Sequence, residues 1–144
     1  MPEIRGGFHE VPASSVPELL AEAARRGVPL FTLSTGGRTG KEAFFRAVRE
    51  ALPLDPPLSA SRYVWDALGD SLWSGLHDLD APHAVLLRPD AGRPAEGVDG
   101  DHAIALDILR DLPKSLADPR YAGGRPTELS VYVASVPPRT VGPW

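Results

Sequence analysis

Hydrophobic positions recur every three to four residues in four stretches of the chain and cluster or alternate in three others. In "SVPELLAEAARRG", Val16, Leu19, Leu20, Ala23 and Ala24 share one face of a helix, with Ser14 or Ser15 as its cap, a proline in the first turn and Gly27 as the stop. "VPLFTLS" holds Leu30, Phe31 and Leu33 in a short apolar run between Pro29 and the turn "TGGRTG", which predicts a buried strand. "KEAFFRAVREAL" sets Phe44, Phe45, Val48 and Leu52 on an inner face, and Thr39 and Glu42 are spaced as its capping box. Over residues 62–79, "RYVWDALGDSLWSGLHDL" gathers Trp65, Leu68, Leu72, Leu76 and Leu79 in one narrow arc, with Ser59 or Ser61 as cap. "HAVLLR" predicts a second buried strand. "HAIALDILRDL" places Ile104, Ala105, Ile108, Leu109 and Leu112 at helical spacing until Pro113 weakens the pattern. "ELSVYVAS" alternates Leu129, Val131 and Val133 with mixed neighbours and predicts a third strand.

Helical crossovers separate the three strands, so this order predicts a small α/β fold: a three-stranded parallel sheet packed with helices through right-handed connections. At 144 residues and 42% hydrophobic content, the chain is long enough for one real core, which we assign to residues 1–135. The proline-rich "VPPRTVGPW" over 136–144 reads as a tail whose one packing signal is Trp144.

Composition narrows the function classes. A net charge of −4 disfavours a general nucleic-acid binder, which needs a basic field to displace counterions from phosphates, and favours a basic partner. A chain without cysteine has no disulfide framework, thiolate nucleophile or thiolate metal site, and is compatible with the cytoplasm. "MPEIRGGFHEVPASS" lacks the basic start and apolar run of a signal peptide, and no apolar run nears the roughly 20 residues that span a bilayer, so a cytoplasmic protein without membrane contact is expected.

Most catalytic patterns fail on particular residues. "STGGRTGKEAFF" passes through glycines and a lysine as a phosphate-binding loop does, but Thr35 stands at the first glycine position, and Glu42 replaces the magnesium-binding hydroxyl with a charge that repels phosphate. None of the four histidines, His9, His77, His83 and His102, belongs to a ligand pair of HExxH type. Asp66, Asp70 and His77 share a helix flank, but they spread over three turns and cannot close a metal site without another segment. Neither a metal nor a cofactor is therefore expected. Ser71 and Ser74 lack a GxSxG context and read as helix surface, and an Asp66 and Asp70 acid–base pair would need one carboxyl desolvated. Asp99 and Asp101 read as a turn and a helix cap.

The flank opposite the leucine arc remains. Asp66, Asp70, Trp73 and His77 follow one another at steps of four, three and four residues and stack along one side of the helix. Acids in a first turn favour the positive end of the helix dipole, so a solvated surface accounts for part of this pattern. Trp73 beside acids adds the signature of an interface anchor.

Over roughly residues 7–135 the chain resembles the barstar family, small intracellular inhibitors of secreted ribonucleases. The resemblance rests on "PLFTLS", "GRTGKEAFFRAVREAL", "WDALGDSL", "HDLDAPHAVLL", "ALDILRD" and "LSVYVAS" in the family's order, and "WDALGDSL" is the most specific of them. It implies a barstar-like fold without catalysis, in which the motif helix fills the cleft of a basic ribonuclease. Its two acids, Asp66 and Asp70 here, then take the place of RNA phosphate. The resemblance also assigns one acid to the following helix, for which Asp101 is the substitute because the matching position falls near Ala103. Where the family carries glycine and asparagine before the motif, this chain has Arg62 and Val64, and Arg62 weakens the acidic field. The expected partner surface is thus Asp66, Asp70, Trp73, His77 and Asp101, facing a basic protein, most simply a ribonuclease. Two alternatives stand beside it: an interaction module that keeps the fold without inhibition, and a small hydrolase using the acid pair.

Overall fold

The computed structural model describes residues 4–35, 41–55, 57–58, 64–79, 81–91, 100–120, 123–124 and 126–135. Strand β1 spans Gly7–Pro12, and a 3-10 turn at Ala13–Ser15 leads into helix α1, Val16–Arg26. Strand β2, Leu30–Thr32, is followed by helices α2, Lys41–Ala51, and α3, Trp65–Asp78. Strand β3, His83–Ala91, helix α4, Gly100–Ala117, and strand β4, Glu128–Ser135, complete the order.

The sheet has four strands where the hydrophobic pattern predicts three, all parallel in the order β1-β4-β3-β2. The additional strand is β1, an edge strand paired only with β4. Its sequence hides it: Phe8 and Val11 lie three residues apart and face opposite sides of the sheet. His9 takes an inward-facing place by stacking on Tyr132, with ring centroids 5.0 Å apart. The central β3 and β4 are covered on both faces, and Ala84 to Leu87 have no exposed surface, as parallel sheets require.

Strand order explains where the helices sit. The β1-to-β2 connection crosses the sheet in one direction, and the later connections come back across it. Right-handed connections therefore put α1 on one face and α2, α3 and α4 on the other. The packing agrees: Leu19 and Ala23 of α1 cluster with Val85, Leu87 and Tyr132, whereas Phe44, Leu72 and Leu109 cluster with Leu86 and Val131. Arg88, the buried charged residue of β3, lies with its guanidinium 5.5 Å above the Phe44 ring and 3.5 Å from Thr35 Oγ1.

Several local expectations are corrected. Leu20 is 41% exposed and Ala24 is exposed, while Glu22 is buried on the inner side of α1. This rotation is tolerated because Arg25 Nε and Arg26 Nε donate to Glu22 at 3.0 and 2.6 Å. These hydrogen bonds, first from Arg25 and then from Arg26, hold the Glu22 carboxyl below its ordinary range. Ser15 precedes α1 without a side-chain capping bond, because the 3-10 turn has already brought it into helical geometry. Gly27 ends α1 as expected, at φ 66°, where its own N–H and that of Val28 satisfy the last carbonyls.

Helix α4 runs through Pro113 to Ala117, and burial of Leu112 and Leu116 offsets the missing backbone bond. Ile104 is 39% exposed and Ile108 half-buried, so the inner face of α4 is Ala105, Leu109, Leu112 and Leu116. The expected caps Thr39, Ser59 and Ser61, and the tail 136–144, lie outside the described residues. Val64 occupies the N-cap of α3 with extended backbone and no capping side chain.

Candidate functional site

Helix α3 is fixed from two directions. Leu68, Leu72 and Leu76 are fully buried, each contributing about 1.5–3 kcal/mol, against a few tenths of a kcal/mol for repulsion between Asp66 and Asp70 one turn apart. The leucines therefore set the rotation of the helix, and the acids go where that rotation sends them. Ser71 and Gly75 are buried as well, because the segment after α2 lies across the helix there. The Asp55 N–H donates to the Ser71 carbonyl at 3.0 Å, and a Cβ on Gly75 would stand 2.1 Å from the Pro53 carbonyl oxygen. Ser71, expected on the helix surface, is thus part of this contact.

On the outer side Asp66 and Asp70 are exposed, and Asp66 sits in the first turn, where its charge favours the helix dipole. Trp73 and His77 are half-buried and stack face to face, with centroids 4.9 Å apart and planes at 16°. Trp73 also packs against the main core, so it is a wall between core and surface and not a free-standing anchor.

Sequence reasoning expected an acid from the helix after the motif but took Asp101 for it, and missed Asp111. Asp70 and Trp73 line a cleft of about 490 Å³ together with Gly69 of α3 and with Ile108, Asp111 and Leu112 of α4. Asp111 is the acid that the second helix brings beside Asp70. Asp101 belongs to the first turn of α4, ten residues earlier, and its side chain lies outside the described residues, as does Arg62. A signal for Asp111 was present, since Ile104, Ile108, Asp111 and Ser115 repeat the four, three, four spacing of Asp66, Asp70, Trp73 and His77.

Two further polar groupings frame this surface. Asp55 and Asp78 meet where the segment after α2 crosses the end of α3, and the Asp78 carboxyl, by hydrogen bond and by like charge, raises the pKa of Asp55 above its ordinary 3.8. Stability from a raised carboxyl is complete below its ordinary value and is lost as pH rises through the folded value. Asp78→Asn is therefore expected to melt above the native protein near neutral pH, with the gap closing near pH 3. Thermal melts followed by circular dichroism check this, and a gap independent of pH would contradict it.

The second grouping joins β3 and β4. His83 Nε2 lies 2.9 Å from Ser130 Oγ, and His83 Nδ1 lies 3.5 Å from Glu128 Oε2. The order matches a nucleophile, base and acid, but Ser130 has no exposed surface through which to reach a substrate. Among the described residues no group of three or more His, Cys, Asp or Glu is arranged to hold a metal ion, and no helix is long and apolar enough to cross a membrane. No protein-family model, curated protein or solved structure matches the chain.

Proposed function

We propose that this chain is a barstar-like inhibitor that binds a basic ribonuclease through the acidic outer surface of α3 and α4 and so blocks the enzyme's cleft. One observation carries the reading: Asp70 and Asp111, from two different helices, line one cleft beside Trp73, with Asp66 exposed one turn away on the same helix. Carboxylates so placed stand in for the phosphates that a ribonuclease binds. Complementary charge also speeds encounter and penalises wrong partners. On this reading the protein works in the cytoplasm, guarding its host against the enzyme, and needs no cofactor.

Affinity capture from the host's own lysate tests the proposal, with the native protein and the Asp66→Ala, Asp70→Ala variant as baits at low and at high salt. The expected result is a basic ribonuclease held by the native bait and released by salt or by the double substitution. Equal capture by both baits, or a partner without ribonuclease activity, would contradict it.

A further inference from the structure

Helix α1 has two apolar faces, and the sheet covers only one of them. Leu19 and Ala23 are buried against β3 and β4, whereas Pro17, Leu20, Ala21 and Ala24 are exposed. These four follow one another at steps of three, one and three residues, an arc of about 100° on a helix. Single exposed apolar residues are ordinary, but an unbroken stripe two turns long has the pattern of a contact.

The charges beside the stripe say what covers it. Glu18 and Arg25, seven residues apart, stand on one flank, and on the other side the stripe grades into the half-buried Val16. Arg25 pairs with the buried Glu22 and still keeps 64% of its side chain exposed, while Glu18 has no cationic partner among the described residues. One flank thus carries both signs of charge.

We propose that this stripe is the contact between two copies of the chain, packed through α1 in antiparallel orientation about a two-fold axis. An axis at right angles to both helices keeps their charged flanks on the same side and reverses their direction, so Glu18 of each copy meets Arg25 of the other. Parallel helices would put the two flanks on opposite sides of the contact, where neither charge finds a partner. With the axis between Leu20 and Ala21, Leu20 packs on the second copy's Ala21 and Pro17 on its Ala24, and the alanines let the helices approach closely. Glu18 and the second copy's Arg25 then differ by two residues, about 3 Å along the axis, which an arginine side chain spans.

A foreign partner of one charge sign would meet one wrong charge on this flank, whereas a second copy meets the right one at both positions. The contact has one large side chain per copy and lies at the small end of specific interfaces, so the expected dimer dissociates in the tens of micromolar. Helix α1 lies across the sheet from α3 and α4, so pairing leaves the acidic surface of each copy open, and the proposal does not depend on the inhibitor reading.

Sedimentation equilibrium of the full chain from micromolar to millimolar concentration tests it. The expected result is a mass that rises from one chain to two, and association weakened at least tenfold by Ala21→Glu, which sets like charges beside the axis. Glu18→Lys is expected to weaken it at low salt and less at high salt. Because the chain has no cysteine, single replacements also report the direction of pairing. Ala21→Cys, close to the axis, is expected to cross-link two copies on mild oxidation, whereas Ala24→Cys, whose copies lie about 10 Å apart along the axis, is not. The cysteine variants decide the matter even if Ala21→Glu lowers the melting temperature. A protein monomeric at every concentration, a dimer that a folded Ala21→Glu variant leaves intact, or equal cross-linking at positions 21 and 24 would overturn the proposal. A monomeric native chain that associates once ended at Ser135 would also overturn it, and would assign the stripe to residues 136–144.

Discussion

Gly75→Ala is expected to lower the melting temperature by about 10 °C, whereas Gly69→Ala, fewer than two turns away on the same helix, raises it slightly. The added methyl at position 75 would lie 2.1 Å from the Pro53 oxygen and 2.5 Å from its carbon, so the backbone after α2 must move. That segment cannot move alone, because the Asp55 N–H is bound to the Ser71 carbonyl and Leu52 and Leu76 are buried on either side of the contact. Overpacking costs about 1–3 kcal/mol, occasionally more, and a backbone clash belongs at the upper end. At about 2–4 °C per kcal/mol for a chain of this size, roughly 3 kcal/mol gives the stated shift. At position 69 the same methyl meets open space and gains about 0.5–1 kcal/mol of helix propensity. Thermal melts of the two variants check the pair, and a Gly75→Ala melt at or above the native one would show that the segment after α2 does not press on α3.

Asp70→Lys is the second large effect, and it falls on binding. Asp70 is exposed, so its replacement should change stability by no more than about 0.5 kcal/mol. A hydrogen bond to a charged group contributes about 1.5–3 kcal/mol, and losing one corresponds to about 10- to 100-fold in Kd. Reversal adds repulsion to that loss and slows encounter most at low salt, where the Debye length is longest. Surface plasmon resonance against the captured ribonuclease should therefore show a slower association whose deficit shrinks as salt rises. A loss of affinity matched by a loss of melting temperature would mean that Asp70 supports the fold and not the interface.

The parts legible in the sequence were those where one face meets the core. The leucines of α3 and the phenylalanines of α2 are buried as their spacing predicts, because a 3.6-residue period survives any detail of packing. Edges were less legible. Strand β1 escaped because an edge strand needs no apolar alternation, and His9 stacked on Tyr132 breaks what little there is. Glu22 sits on the inner side of α1 because two arginines one turn on neutralise it, a pairing that periodicity does not weigh. At the candidate site, Asp66, Asp70, Trp73 and His77 do lie along one side of α3, as four, three, four spacing requires. Asp111 was missed because the spacing of α4 shows which residues share its face but not which turn of that face meets α3, and only the crossing of the two helices puts Asp111 in the same cleft as Asp70.

The inhibition of RNA cleavage tests the central claim most directly. Purified basic ribonucleases, the captured enzyme among them, would be titrated with the native protein and with the folded Asp66→Ala, Asp70→Ala variant, and hydrolysis of a fluorogenic oligoribonucleotide followed. The account predicts that the native protein abolishes activity of at least one enzyme near one-to-one stoichiometry and that the variant does so only at far higher concentration. Full activity of every enzyme at saturating native protein, or equal inhibition by both forms, would contradict it.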